Sequence, residues 1–190
     1  MRTWVAFRPA IALTAVAGLA FTAGNASSAV IVLGAGFATE CSEAAEAGST
    51  RVGDVQACDR SIATEELDPR SRAATHINRG IILMRRGDRV RALSDFNTAI
   101  GIGEYAGEAY VNRGALNIVE DRAEEGLADT DRALALPLRE PARAWFNRGV
   151  AHEELGNVQA AYGDYRRAAE LSPGWNEPVA ELARFTVRRR

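Results

Sequence analysis

Side chains that attack electrophiles, bind metals or move protons near neutral pH are scarce here. Of the cysteines and histidines, the 190 residues hold only Cys41, Cys58, His76 and His152. The cysteines lie 17 residues apart, which suits neither a Cys-x-x-Cys redox motif nor a paired metal site, and two histidines are too few to complete one. No Ser-His-Asp order or phosphate loop is present, and the Gly-x-Gly pairs Gly34/Gly36 and Gly101/Gly103 open no dinucleotide-binding unit. The expectation is no catalytic residue, no metal and no cofactor. An even cysteine count just beyond an export-like segment points instead to a disulfide between Cys41 and Cys58, with two reduced, buried thiols as the alternative.

The residues that do recur belong to a repeat. Asn78-Arg79-Gly80, Asn112-Arg113-Gly114 and Asn147-Arg148-Gly149 follow one another at intervals of 34 and 35 residues. Asp95, Asp129 and Asp164 stand 16 residues after the three arginines, so an arginine–aspartate pair is expected to register each unit. A helix-turn-helix of this length explains the rest of the pattern. In the last unit Trp145 precedes the glycine by four, Gly156-Asn157 makes the turn, Ala161, Tyr165 and Ala168 face back, and Pro173 stops the second helix. The first unit reads likewise as His76, Gly80, Leu83, Gly87, Ala92, Phe96 and Ala99. The middle unit, with Tyr110, Gly114, Gly126 and Ala133, departs from both: Asp121 replaces the turn glycine and Thr130 the aromatic residue, so it is expected to pack least tightly. His76 and His152 fall at helix-packing positions, which favours a structural role over that of a general base.

These motifs resemble the tetratricopeptide repeat over residues 73–175, with a degenerate leading hairpin at 39–67. The resemblance implies an all-α solenoid: repeats at 73–106, 107–140 and 142–175, and a capping helix at 176–190 with Val179, Leu182, Ala183 and Phe185 on its inner side. Aligned on the repeats, Cys41 and Cys58 fall where the two helices of the leading hairpin face each other, so a disulfide would staple it. The residue two before the signature glycine points into the concave groove of this family. The resemblance thus places Asn78, Asn112 and Asn147 in a peptide-binding groove with Ile77, Ile81, Val111, Phe146 and Val150. An asparagine side chain offers both a donor and an acceptor to an extended peptide backbone. The alternative is that each asparagine satisfies a neighbouring helix. The groove is apolar and lacks the cationic clamp of some relatives, leaving Arg85 and Arg143 as the nearby cations.

The N-terminus reads as an address. Arg2 and Arg8 precede an apolar run, Ile11 to Ala23, and a small polar stretch ending at Ala29. About 13 apolar residues are too few to span a bilayer. A signal peptide over 1–29 is expected, or over 1–38, because a second apolar run from Val30 ends at another small-residue site, Ala38. All basic side chains are arginine, and losing Arg2 and Arg8 leaves 21 of them against 25 carboxylates, the wrong sign for nucleic-acid binding. The terminal Arg188, Arg189 and Arg190 suit a solvated helix end.

The sequence therefore describes an exported, periplasmic, non-enzymatic scaffold or adaptor binding a protein or peptide, with no nucleic acid or small-molecule substrate. Its membrane contact would run only through an uncut N-terminus. The competing expectation is a structural subunit of an envelope-associated assembly anchored by that segment. Terminal sequencing of the exported protein should read Val30 or Thr39 first. Intact Met1 in a carbonate-resistant membrane fraction is the result that the anchored alternative requires.

Overall fold

The computed structural model describes residues 3–6, 28–32 and 36–188. The h-region, its flanking Arg2, Arg8 and 24–27 stretch, and the terminal Arg189 and Arg190 lie outside the described residues. Nine helices are present among those described. They are α1 (Phe37–Glu46), α2 (Val52–Thr64), α3 (Pro69–Arg85), α4 (Arg89–Ile102), α5 (Ala106–Val119), α6 (Ala123–Leu134), α7 (Pro141–Glu154), α8 (Val158–Leu171) and α9 (Asn176–Leu182). None of the described helices is long and apolar enough to cross a membrane. Each consecutive pair from α1/α2 to α7/α8 packs as a hairpin, and α3, α5 and α7 touch in series to form the inner layer of a tetratricopeptide-type solenoid.

Local chemistry sets the helix ends. Asp68 caps α3 by accepting from the Ser71 amide at 3.0 Å, with Pro69 in the first turn, and Asp88 caps α4 through the Arg91 amide at 3.2 Å. The hairpin turns demand a left-handed residue, which glycine supplies at Gly87 (φ 83°) and Gly156 (φ 77°). Asp121 takes the same place in the middle unit at φ 57°, a conformation that costs a residue with a Cβ about 1 kcal/mol.

The signature glycines are steric necessities. A Cβ on Gly80 would lie 2.6 Å from the Phe96 ring, and one on Gly149 would lie 2.8 Å from that of Tyr165. The middle hairpin packs by another route. With threonine in place of the aromatic ring, α5 and α6 close on two glycines. A Cβ on Gly114 would lie 3.2 Å from the Gly126 carbonyl oxygen, and one on Gly126 would lie 2.5 Å from Ile118, which fills the remaining space. Gly126, where the other units have Ala92 and Ala161, together with the smaller Thr130, lets the backbones approach and preserves the contact.

The arginine–aspartate pairs form as expected, and each is bidentate. Arg79 donates to Asp95 at 2.9 and 2.7 Å, Arg113 to Asp129 at 2.8 and 2.7 Å, and Arg148 to Asp164 at 2.8 and 2.8 Å. All three carboxylates are buried. The remaining guanidinium nitrogen reaches back one hairpin, to Asp59 at 2.7 Å, Asn97 at 2.6 Å and Asp131 at 3.0 Å, so each arginine also ties its unit to the preceding one. His76 joins the first pair, 2.9 Å from Asp95, and His152 stands 3.9 Å from Asp164. Burial alone would raise the Asp95 pKa. The hydrogen bonds from Arg79 and His76 outweigh it and hold the carboxyl below its usual range.

At the N-terminal end Cys41 and Cys58 are joined, linking α1 to α2. A bridge across 17 residues is worth about 3 kcal/mol through the unfolded chain. The C-terminal cap differs from expectation. Its helix stops at Leu182, Val179 is exposed, and the chain turns at Ala183-Arg184, where Arg184 pairs with Glu153 and Glu181. Phe185 then begins a strand, β2 (Phe185–Arg188), paired antiparallel with β1 (Thr3–Ala6) in the register Thr3↔Arg188 to Ala6↔Phe185. Phe-Thr-Val is richer in strand formers than in helix formers, which explains the early stop. The Phe185 ring still covers the last hairpin, 5.7 Å from Tyr162 and 6.0 Å from Tyr165.

Replacing Arg148 by alanine leaves buried Asp164 without its bidentate partner and severs the link to Asp131. We expect a loss of about 2 kcal/mol, read as a drop of several degrees in the thermal midpoint. An unchanged midpoint would show the pairs to be incidental.

Candidate peptide groove

Asn78, Asn112 and Asn147 lie on α3, α5 and α7, the three inner helices, and all are buried. The carboxamide of Asn78 accepts from the Val30 amide at 2.9 Å and donates to the Val30 carbonyl at 2.6 Å. Asn112 does the same to Ser28, at 3.0 and 3.1 Å, and its nitrogen also donates to the Glu108 carbonyl one turn earlier, at 2.9 Å. Each asparagine therefore holds both backbone groups of a single residue. That is possible only when the residue is extended, because its N–H and C=O then point to the same side while those of the next residue point away. Asparagines in register must catch residues two apart, as they do here.

The side chains of this strap alternate accordingly. Ser28 (4% exposed), Val30 (0%) and Val32 (8%) face inward, while Ile31 is 44% exposed. Val30 and Val32 share one apolar cluster with Ile77 and Ile81 of α3, Ala45 of α1 and the disulfide. Just beyond the strap, the Glu65 carboxylate accepts from the amides of Phe37 and Ala38 at 2.8 and 3.1 Å, capping α1. Gly36 makes that approach possible. Its φ is 128°, and a Cβ there would lie 2.4 Å from the Glu65 carboxylate.

The other residues assigned to the groove divide. Ile77 and Ile81 belong to the apolar cluster that includes Val30 and Val32. Val111 packs instead with Ala133 and Ala144, between α5, α6 and α7. Phe146 and Val150 lie in the cluster of the last hairpin, with the Phe146 ring 5.5 Å from Tyr165 and 4.9 Å from Trp175. Asn147 donates to the Val111 carbonyl of the adjoining helix at 3.4 Å, so the alternative expectation of helix-to-helix satisfaction describes this contact. The cations named beside the groove are engaged: Arg85 donates to the Ala45 carbonyl at 2.6 Å, and Arg143 pairs with Glu140 and stacks on Trp175. Sequence reasoning missed the occupant. The signal available was the β-branched run Val30-Ile31-Val32, which favours an extended backbone.

The stacked-hairpin solenoid is similar in fold to tetratricopeptide domains. The tetratricopeptide repeat family model matches residues 142–175. Human mitochondrial import receptor subunit TOM70 is 27% identical over 131 residues, 66% of this chain but only 22% of that protein's length. The second tetratricopeptide domain of human RPAP3, in complex with the HSP70 peptide SGPTIEEVD, is 26% identical, with a TM-score of 0.54 over 61% of this chain and 96% of its own. MamA from Desulfovibrio magneticus has the same fold at 19% identity, with a TM-score of 0.58 over 77% of this chain and 79% of that one.

Hydrogen exchange should show the strap's alternation. The amides of Ser28 and Val30 are expected to exchange slowly and those of Ala29 and Ile31 fast, and Asn78→Ala with Asn112→Ala should abolish the difference. Uniformly fast exchange in the unaltered chain would exclude a held strap.

Proposed function

We propose that this protein is an exported, non-enzymatic adaptor whose concave groove binds an extended segment of a protein partner, with Asn78 and Asn112 gripping the backbone. One observation carries the reading: both carboxamides already make the two-point backbone contact that such a ligand requires, on the chain's own Val30 and Ser28. Because the contact is to main-chain atoms, it tolerates many side chains. Peptide binding by a related domain supports it, since the RPAP3 domain holds an HSP70 peptide. That peptide carries two glutamates and an aspartate, whereas the strap carries none, so the two grooves favour different ligands.

The signal-like N-terminus and the disulfide support an oxidising, periplasmic setting. One observation favours the second reading, an envelope-associated structural subunit with an uncut N-terminus. Residues on both sides of the h-region, Thr3–Ala6 and 28–32, are engaged with the solenoid.

The test is capture of a partner from the exported fraction by the unaltered chain, by the Asn78→Ala/Asn112→Ala variant and by Arg148→Ala. Each hydrogen bond is worth about 0.5–1.5 kcal/mol, so the asparagine variant should bind roughly ten-fold more weakly while keeping its helical content. Arg148→Ala should keep affinity and lose thermal stability. If the asparagine variant captures the partner as well as the unaltered chain does, the groove is not the binding site.

A further inference from the structure

We propose that residues 28–32 are a resident ligand of the groove. They compete intramolecularly with partner segments of the same chemical class: extended, uncharged, with small or β-branched residues at every second position. The inference rests on the groove reading above and adds what the groove selects and how access to it is controlled.

The selectivity follows from burial. Val30 is fully enclosed within the apolar cluster that also holds Ile77 and Ile81, and Ser28 and Val32 are nearly as buried. A charge at any of these three inward positions would lose its hydration without a partner, and a large aromatic ring would have to displace helix side chains already in contact. The outward positions are permissive. Ile31 is largely in solvent, and Ala29 and Ile31 border Glu46, Arg139 and Glu140, a rim of mixed charge. Polarity is fixed as well. The strap runs from Asn112 to Asn78, against the order of the repeats, so a partner in the same register places residue p on Asn112 and p+2 on Asn78.

Competition follows from the tether. Only residues 33–35 separate the strap from Gly36, and there Glu65 and the Cys41–Cys58 bridge hold α1 on the solenoid. A ligand on so short a leash acts at an effective concentration in the millimolar range, and the apparent affinity of a free segment falls by the fraction of time the strap is displaced. Chain processing would change that fraction. Cutting after Ala29 removes the residue held by Asn112 and leaves the one held by Asn78, so the groove would be half vacated.

The experiment uses purified, disulfide-bonded full-length chain and a fluorescein-labelled synthetic peptide, Asn-Ala-Ser-Ser-Ala-Val-Ile-Val-Leu-Lys-Lys, read by anisotropy. Val30→Asp and, as a milder change, Val30→Gly disable the strap while leaving the groove intact. Both should bind the peptide at least ten-fold more tightly than the unaltered chain, and adding Asn78→Ala/Asn112→Ala should remove that gain. A peptide with aspartate at the positions matching Ser28 and Val30 should not bind. Equal affinity for the unaltered and strap-disabled chains, both lost with the asparagines, would overturn the competitor and leave the groove reading standing. Peptide binding indifferent to the asparagines, or absent from every folded chain, would overturn both. Loss of helical content in both Val30 variants would show the strap to be a fixed part of the core and overturn the proposal.

Discussion

Three consecutive residues on an α-helix point in directions about 100° apart, and the structure depends on how the Asn-Arg-Gly triplet uses them. The glycine faces the second helix of its own hairpin and sets how closely the two pack. The arginine, one step round, closes its fork on the aspartate of that second helix and reaches to the hairpin before. The asparagine, a further step round, faces residues 28–32 in the first two repeats and the preceding inner helix in the third. Because the triplet is rigid, the contact that fixes hairpin spacing also fixes the asparagines. The spacing of Asn78 and Asn112 matches a backbone that presents the same groups every second residue, as residues 28–32 do.

The middle unit shows how this constraint tolerates change. It lacks both the turn glycine and the aromatic wedge, yet Asn112 makes the two-point grip on Ser28 and Arg113 keeps its bidentate pair. Gly126 and Ile118 restore the contact by closer backbone approach, and Asp121 accepts the left-handed turn at a small cost. What had to persist was the direction of three side chains, and several packing solutions preserve it.

The leading hairpin solves a different problem. It has no Asn-Arg-Gly triplet and few large apolar residues, so the disulfide supplies what packing does not. Its aspartate, Asp59, still receives Arg79, which joins it to the first repeat as the repeats join one another. Glu65 of the same region caps α1 and so sets where the strap leaves the groove. One short element thereby packs on the first repeat and anchors the segment that Asn78 and Asn112 hold.

The sequence by itself determined the repeat, its hairpins and the arginine–aspartate partners, and it named Cys41 and Cys58 as the one disulfide that could form. These depend on local periodicity, on a 16-residue interval, and on having only two cysteines to pair. The resemblance to the tetratricopeptide repeat, and not the residues alone, suggested that Asn78, Asn112 and Asn147 share one face of the inner helices. Only the tertiary structure decided what those asparagines hold, since Val30 is 48 residues from Asn78 and Ser28 is 84 from Asn112, and no periodic pattern connects them. The same holds for the links from Arg79 to Asp59 and from Arg148 to Asp131, and for Val111, Phe146 and Val150, whose inner-helix register did not reveal that neighbouring helices cover them. The capping helix forms but ends at Leu182, earlier than expected, for a related reason. Its apolar spacing fits a helix, but pairing with Thr3–Ala6 and covering of the last hairpin by Phe185 favour an extended end. Contacts between distant segments are settled by which surfaces remain uncovered once the helices have packed, and that is a property of the assembled solenoid.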